Sequence, residues 1–181
     1  MFIGMDRFKR INNALGHPVG DEMLKRVARA LATVVRESDS VFRYGSDEFV
    51  VILGDITDSQ QTKGVADKLL TAISTPHPID GHDLTVTASL GISMYPADGF
   101  DAVALIKKAE TAMRNVKETG PNDYRFFTED MNRRARQQQT IESGLRLALQ
   151  RKEFVLHYQP KIDLRSGKVV GAEALVRWNR P

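Results

Sequence analysis

The amino-acid sequence predicts an α+β fold with a mainly antiparallel central sheet flanked by helices. Apolar residues recur at helical spacing over residues 17–36, which predicts an amphipathic helix. Residues 41–44 and 49–53 are strand-like and are separated by a compact polar turn at 45–48, which predicts a β-hairpin. With 181 residues, the chain has room for one good-sized domain, or for one domain and part of another.

The remaining elements up to residue 94 follow from local signals. An apolar run at residues 2–5 predicts a short strand that is followed by a loop. Asp58 is the predicted N-cap of the next helix, which ends at Pro76. A turn at 79–82 precedes a strand predicted over residues 84–94, where every second residue is apolar.

The last part of the sequence predicts a helix, a closing strand and the start of a second domain. Helical spacing predicts a helix at 101–119, and 124–127 read as a short strand. A long polar helix is predicted over 129–152 and would link the first domain to a second one. Strands are predicted at 154–158 and 169–176. Because two or three strands cannot close a core alone, we expect this sequence to be a piece of a longer chain.

Composition excludes several classes of protein. The chain has no cysteine, which rules out disulfides and thiolate metal sites. No apolar run reaches the roughly 18 residues of a membrane span. The N-terminus is apolar and then basic, the reverse of a signal peptide. The net charge of +3 suits an anionic ligand, but basic and acidic side chains are interspersed, so no nucleic-acid partner and no membrane contact are expected.

Four separated motifs share the order and spacing of a known family. Asp6 opens the segment D-R-F-K-R-I-N-N, and G-H at 16–17, G-D at 20–21 and G-S-D-E-F at 45–49 follow. Over residues 1–127 the sequence resembles the GGDEF family of diguanylate cyclases, whose pattern is D-x-D-x-F-K-x-I-N-D, G-H, G-D and G-G-D-E-F. The resemblance implies a nucleotidyl-cyclase-like palm. It also implies that two GTP molecules are joined into cyclic di-GMP between two such domains, which makes a homodimer an expected partner arrangement.

The resemblance assigns GTP-binding residues by position. Asn12 and Asp21 match the residues that hydrogen-bond guanine, and an amide and a carboxylate can together read the donor and acceptor edge of that base. Phe8 closes the loop that matches the phosphate-cradling turn, where backbone N–H groups face the anion. Gly45 and Ser46 match the part of the signature turn that approaches the nucleotide. For Asp21, an acid that simply stabilises the first turn of a helix remains an alternative.

The resemblance also assigns catalytic groups and a metal. Glu48 matches the carboxylate that binds Mg²⁺ in the family, and Asp47 matches the neighbouring acid that helps to activate the ribose hydroxyl. Lys117 matches a lysine that neutralises the terminal phosphates, although a lysine in the last turn of a helix also opposes the helix dipole. The expected cofactor is therefore Mg²⁺ that accompanies bound GTP.

Three positions depart from the family pattern on the metal and phosphate side. Gly4 stands where the family has its first metal-binding aspartate, and Pro121 stands where an arginine is expected. Ser46 replaces the second glycine of the signature, where glycine allows close backbone approach and positive φ. Each electrostatic group removed from a phosphoryl-transfer site costs on the order of 100-fold or more in rate. We therefore expect weak or absent cyclase activity, with guanine-nucleotide binding retained.

A second constellation lies just before the hairpin. Arg36 and Asp39 match the R-x-x-D inhibitory site of the family, where dimeric cyclic di-GMP binds. Arginine can stack on or pair with the guanine and phosphate of that ligand, and the aspartate can accept from guanine. The alternative is a surface ion pair after a helix, which contributes little.

The C-terminal segment resembles the opening of a second family. F-V-L-H-Y-Q-P at 154–160 and G-A-E-A-L-V-R-W at 171–178 resemble the start of an EAL domain, a cyclic-di-GMP phosphodiesterase. The resemblance makes Glu173 the first metal ligand and places Gln159 and Arg177 against the dinucleotide. Later EAL ligands are missing, so this chain should hydrolyse nothing. The expected domains are a GGDEF domain at 1–127, a linker helix at 128–152 and an EAL fragment at 153–181.

Three functions fit these motifs. The leading hypothesis is a degenerate GGDEF domain in a cytoplasmic signalling protein, which binds GTP and regulates the attached EAL domain. The second is an active diguanylate cyclase that its product inhibits. The third is a non-enzymatic cyclic-di-GMP sensor that works through Arg36 and Asp39.

Overall fold

The computed structural model describes residues 1–56 and 58–179, which fall into two units, Met1–Asn132 and a second that begins at Arg133. The first unit contains, in chain order, β1 Phe2–Met5, α1 Phe8–Leu15, α2 His17–Val34, β2 Ser40–Arg43, β3 Glu48–Ile52, α3 Ser59–Ser74, β4 His77–Ile79, β5 His82–Leu84, β6 Ala88–Ile92, α4 Ala102–Thr119 and β7 Tyr124–Phe126. Helix α5 Glu129–Gln150 spans the boundary between the units, and β8 Phe154–Ile162 and β9 Val169–Trp178 follow it.

The central sheet of the first unit has five strands in the order β2-β3-β1-β6-β7. All neighbouring pairs are antiparallel except β6 and β7, which run parallel. The prediction of an α+β fold with a mainly antiparallel sheet is therefore confirmed. The register places Gly4 of β1 between Glu48 of β3 and Ser89 of β6, at the centre of the sheet.

Helices cover both faces of this sheet. The larger core packs α2 and α3 against one face, where Ile3, Phe49 and Leu90 are almost fully buried. A smaller cluster packs Ala109 and Met113 of α4 against the other face. Strand β6 is consequently buried along its whole length, as expected for a central strand that is covered on both sides.

Helix α4 approaches the sheet closely because residue 91 is glycine. A Cβ atom on Gly91 would lie 1.8 Å from the Ala109 carbonyl oxygen and 2.3 Å from the Met113 amide nitrogen. Both atoms belong to the backbone of α4, so no side-chain movement could relieve the clash. The glycine thus fixes the distance between α4 and the strands beneath it.

The structure differs from the predicted elements at two places. Residues 8–15 form α1 instead of a continuing loop, after Arg7 adopts a left-handed conformation with φ of 53°. The strand predicted over 84–94 is divided, because β5 ends at Leu84 and pairs with β4, whereas β6 begins at Ala88. Strand β1 ends at Met5, opposite Ala88; Asp6 N still donates to the Thr87 carbonyl oxygen at 2.8 Å, but Asp6 lies outside the strand.

The predicted helix starts agree with the structure. Asp58 caps α3 by accepting a hydrogen bond from Gln61 N, and Asp101 caps α4 by accepting from Ala104 N. Such caps satisfy backbone donors that would otherwise have no partner in the first turn of a helix.

The second unit contains the end of α5 and a β8–β9 hairpin. The Asp163 carboxylate accepts hydrogen bonds from Ser166 N at 2.7 Å and Ser166 Oγ at 2.8 Å, which hold the pKa of this carboxyl below its usual value. Trp178 Nε1 donates to Glu153 Oε2 at 2.9 Å and ties the two ends of the hairpin together. Within the described ranges, no helix combines the length and the apolar character needed to cross a bilayer.

Candidate functional site

Two acidic residues and a glycine are neighbours where β1 and β3 run side by side. Gly4 lies opposite Glu48 in the antiparallel ladder, and Met5 N donates to the Asp47 carbonyl oxygen at 3.0 Å. Glu48 opens β3, whereas Asp47 belongs to the preceding turn. The structure therefore brings together the predicted catalytic residues Asp47 and Glu48 and the departing position Gly4.

An arginine that the sequence motifs did not reveal braces the signature turn. Arg43 Nε donates to the Gly45 carbonyl oxygen at 3.2 Å, and Arg43 Nη2 donates to the Ser46 carbonyl oxygen at 3.0 Å. Within the turn, Ser46 Oγ donates to Asp47 Oδ1 at 2.9 Å, and Gly45 N donates to the Glu48 carbonyl oxygen at 3.2 Å. These bonds fix the turn backbone, and the Ser46 hydroxyl contributes one that glycine could not make.

Lys117 reaches the same place from α4. It lies one turn after Met113, on the helix face that packs on the sheet. Lys117 Nζ donates to the Met5 carbonyl oxygen at 3.2 Å. A Cβ atom on Gly4 would lie 2.7 Å from Lys117 Nζ and 2.9 Å from its Cε. The lysine therefore fills the space beside Gly4, and we call Gly4, Asp47, Glu48 and Lys117 the hairpin site.

The hairpin site does not fit a Mg²⁺ ion held by the protein. Mg²⁺ requires near-octahedral oxygen coordination, usually from one or two carboxylates and from substrate phosphates. Gly4 supplies no carboxylate, and a cationic ammonium lies beside it. Among the described residues, no group of three or more His, Asp or Glu side chains could hold a metal. The expectation that Mg²⁺ accompanies bound GTP, with Glu48 as its ligand from the protein, stays a prediction.

The two predicted guanine-reading residues lie on adjacent helices. Asn12 is on α1 with its amide against Gly20 of α2, where a Cβ atom would lie 1.8 Å from Asn12 Oδ1. This oxygen is buried and has no hydrogen-bond partner in the part of the chain that the structure describes. Asp21 is the next residue along α2 and is exposed. Phe8, at the start of α1, is only 5% exposed and belongs to the core, so its side chain is structural.

A cavity opens beside Asp21. Its volume is about 480 Å³, and its walls come from α2, β2 and β3. Asp21, Lys25 and Arg43 supply its charged groups, and the apolar remainder includes Leu24 and Phe49. A cavity of this kind, mostly apolar with a few polar groups, suits a planar base.

Asp6, which stands at the second aspartate of the family pattern, has a structural role. It is 9% exposed, and its carboxylate accepts from Ser89 Oγ at 2.7 Å, Thr87 Oγ1 at 2.8 Å and Asn122 N at 3.2 Å. These bonds connect the end of β1 to β6 and to the loop after α4. Pro121 is exposed in that same loop.

The R-x-x-D segment forms a closed turn. Asp39 Oδ2 accepts from Arg36 N at 3.0 Å, and Asp39 Oδ1 accepts from Gly54 N at 3.1 Å. Both oxygens of the Asp39 carboxylate therefore accept hydrogen bonds from backbone N–H groups. The Arg36 side chain is exposed. The role of these two residues in binding cyclic di-GMP stays a prediction.

The three residues predicted for the EAL segment share one face of the β8–β9 hairpin. Gln159 lies directly opposite Glu173 in the register, and Arg177 lies opposite Val155. Because side chains alternate along a strand, Glu173 and Arg177, four residues apart, lie on the same face. Their predicted ligand roles are not tested by this arrangement.

The sheet, its acidic hairpin and the lysine from α4 together define a GGDEF-type domain. The profile of the family described as "Diguanylate cyclase, GGDEF domain" matches residues 1–123, and that of the "EAL domain" matches residues 142–181. The chain belongs to the diguanylate cyclase GGDEF-domain family, and it is a GGDEF/EAL module of cyclic-di-GMP signalling.

Curated relatives resemble the chain over its whole length. The bifunctional diguanylate cyclase/cyclic di-GMP phosphodiesterase MucR of Pseudomonas aeruginosa is 40% identical over 181 residues, which are 100% of this chain and 26% of that protein. The cyclic di-GMP phosphodiesterase PdeR of Escherichia coli is 36% identical over 181 residues, which are 100% of this chain and 27% of that protein. The chain thus spans about a quarter of the length of these relatives.

Solved structures share the fold of the first unit. The GGDEF domain of TpbB, or YfiN, from Pseudomonas aeruginosa has a TM-score of 0.72 at 32% identity, over 75% of this chain and 79% of that chain. An EAL/GGDEF domain protein from M. capsulatus has a TM-score of 0.67 at 38% identity, over 70% of this chain and 82% of that chain. The cyclase-like palm implied by the sequence motifs is thereby confirmed.

Proposed function

We propose that this GGDEF domain binds GTP without converting it efficiently to cyclic di-GMP, and that it regulates an attached EAL phosphodiesterase domain. The observation that carries the proposal is an imbalance between two halves of the site. The base-reading half keeps Asn12, whose Oδ1 is buried without a partner among the described residues, and Asp21, which lines a cavity, whereas the metal-binding half has Gly4 in place of a carboxylate.

Asn12 supports the binding half of the proposal. A buried acceptor without a partner costs about 1–3 kcal/mol. A ligand that brings an N–H donor to Asn12 Oδ1 would remove this cost, and guanine carries such donors on its Watson–Crick edge. Asp21, exposed at the rim of the cavity, can accept a second N–H from the same edge.

The composition of the hairpin site supports the second half of the proposal, the slow conversion of GTP to cyclic di-GMP. Of the two residues that lie opposite position 4 in the ladder, Glu48 carries a carboxylate and Ser89 does not. A Cβ atom at position 4 would lie 2.7 Å from the Lys117 ammonium nitrogen. Two-metal phosphoryl transfer depends on positioned cations that neutralise charge as it develops. Each missing group costs on the order of 100-fold or more in rate.

Helix α4 offers a route from the nucleotide to the linker helix. Lys117 is in its last turn, and Lys108, on the same helix, donates to Glu129 Oε1 at 2.9 Å at the start of α5. Lys108 Nζ also lies 4.7 Å from the centre of the Phe127 ring. A displacement of α4 by bound phosphate would therefore reach α5, which continues into the second unit.

A nucleotide titration tests the proposal. We expect saturable calorimetric binding of GTP to the 181-residue chain. Binding of ATP should be at least about tenfold weaker, because adenine presents a reversed donor and acceptor edge. Asp21→Ala should weaken GTP binding, whereas Asp83→Ala, an exposed change on β5, should not. No GTP binding at high micromolar concentration would refute the proposal.

An active cyclase is the second candidate. Asp47, Glu48 and Lys117 lie together at the hairpin site, which favours some residual chemistry. MucR, whose name includes diguanylate cyclase, is similar over the whole chain. A product assay with GTP and Mg²⁺ separates the two candidates: cyclic di-GMP that disappears in Glu48→Ala would establish this alternative.

A further inference from the structure

Residue 4 and Lys117 compete for one small volume. Gly4 is buried, and a Cβ atom there would lie 2.7 Å from Lys117 Nζ, 2.9 Å from Lys117 Cε and 2.9 Å from Met113 Sδ. Real Cβ atoms do not approach other atoms so closely, so any side chain at position 4 would have to displace the lysine. The glycine is therefore what allows the ammonium group to lie next to β1.

The ammonium occupies the space beside Gly4 and one nearby backbone oxygen. Lys117 Nζ donates to the Met5 carbonyl oxygen at 3.2 Å, directly after Gly4. A divalent cation at this position would meet the positive charge of Lys117 at short range in a partly buried setting, where repulsion is poorly screened. The hairpin site thus favours a single positive charge, and this charge is the Lys117 ammonium group.

The same ammonium remains able to bind an anion. Lysine has three N–H donors, and in the described part of the chain one is directed at the Met5 carbonyl oxygen. Two donors and the full positive charge are left for phosphate oxygens. Lysine binds phosphate as a compact point charge, which suits the terminal phosphates of a nucleotide.

We propose that Lys117 acts as a built-in replacement for the divalent cation, so that this domain binds GTP independently of Mg²⁺. The inference rests on the GTP binding proposed above and adds how the phosphates are neutralised. What it adds to the family role of Lys117 is that this lysine takes the place of a cation and that its position depends on glycine at residue 4.

The test is GTP calorimetry on the full chain in two buffers of equal ionic strength, one with excess Mg²⁺ and one with EDTA. The wild-type Kd should agree within about threefold between the buffers. Lys117→Met keeps the aliphatic stem, removes the charge, and should weaken binding at least about tenfold in both buffers. Lys107→Met, an exposed lysine on the same helix, is the matched control and should leave both values unchanged.

The outcomes separate the two proposals. A wild-type affinity that falls more than about threefold in EDTA would overturn the lysine replacement and leave GTP binding standing. An unchanged affinity in Lys117→Met would also overturn it. Absence of binding in both buffers would refute the proposed function and this inference with it. Equal wild-type affinities together with the loss in Lys117→Met would support it.

Discussion

Asn12 is the residue whose surroundings point most directly to a ligand. Its amide oxygen is buried between α1 and α2 and lacks a partner among the described residues. An unsatisfied buried acceptor is uncommon in native proteins and calls for an explanation. A bound base that donates to this oxygen would explain it, and the cavity lined by Asp21, which follows the Gly20 that packs on Asn12, offers space for a base nearby.

Asn12→Ala should separate binding from stability. We expect GTP affinity to fall at least about tenfold, since a hydrogen bond to the base is lost. The free energy of unfolding should not fall, because the removed oxygen has no partner among the described residues and alanine favours a helix. GTP calorimetry and urea unfolding measure the two quantities, with the exposed Asn13→Ala as control. Unchanged GTP affinity would contradict the assignment of Asn12.

Asp6 should show the opposite pattern, because its carboxylate links β1 to β6 and to Asn122. Asp6→Ala leaves the buried Ser89 hydroxyl without its acceptor and should lower the free energy of unfolding by about 3 kcal/mol. Asp83→Ala, which is exposed, should change it by less than about 0.5 kcal/mol. Equal urea midpoints for the two variants would show that the Asp6 network does not stabilise the fold.

At the scale of elements, α4 connects packing to the site. It packs on the sheet through Ala109 and Met113, and it brings Lys117 to Gly4 and Lys108 to α5. Its closeness to the sheet depends on Gly91. A change at that contact should therefore affect both stability and the hairpin site.

Gly91→Ala should lower the free energy of unfolding by about 1–3 kcal/mol, because the new methyl group meets the backbone of α4. It should also weaken GTP binding, since α4 carries Lys117. Gly64→Ala is a matched control in α3, where a Cβ meets nothing within 4 Å. That change should raise stability by about 0.5–1 kcal/mol, because alanine is the better helix former. Thermal unfolding that ranked Gly64→Ala below Gly91→Ala would contradict this account of α4 packing.

Some elements could be predicted from local sequence and others could not. The hairpin turn, the cap Asp58 and the polar helix α5 depend on neighbouring residues, so their signals are local. Helix α1 has only eight residues, too few for its apolar spacing to stand out. The break before β6 depends on where β1 ends, which is a property of the sheet and not of residues 85–87.

At the scale of the whole molecule, the motifs predicted the family and the departures, but not how the departures interact. Gly4 and Lys117 are far apart in the sequence, and only the packing of α4 on β1 reveals that one fills the space beside the other. The bracing of the turn by Arg43 and the unpartnered oxygen of Asn12 likewise depend on tertiary contacts. The structure thus shows that the hairpin site, which lacks a carboxylate at position 4, has the positive charge of Lys117 beside that position.

The central claim is that this GGDEF domain retains GTP binding and has lost efficient turnover. The most direct measurement is GTP calorimetry on the 181-residue chain, followed by chromatographic assay of the same sample for cyclic di-GMP. We predict saturable binding that Asn12→Ala weakens, with the GTP recovered intact. Accumulation of cyclic di-GMP that requires Glu48, or the absence of GTP binding, would contradict the account.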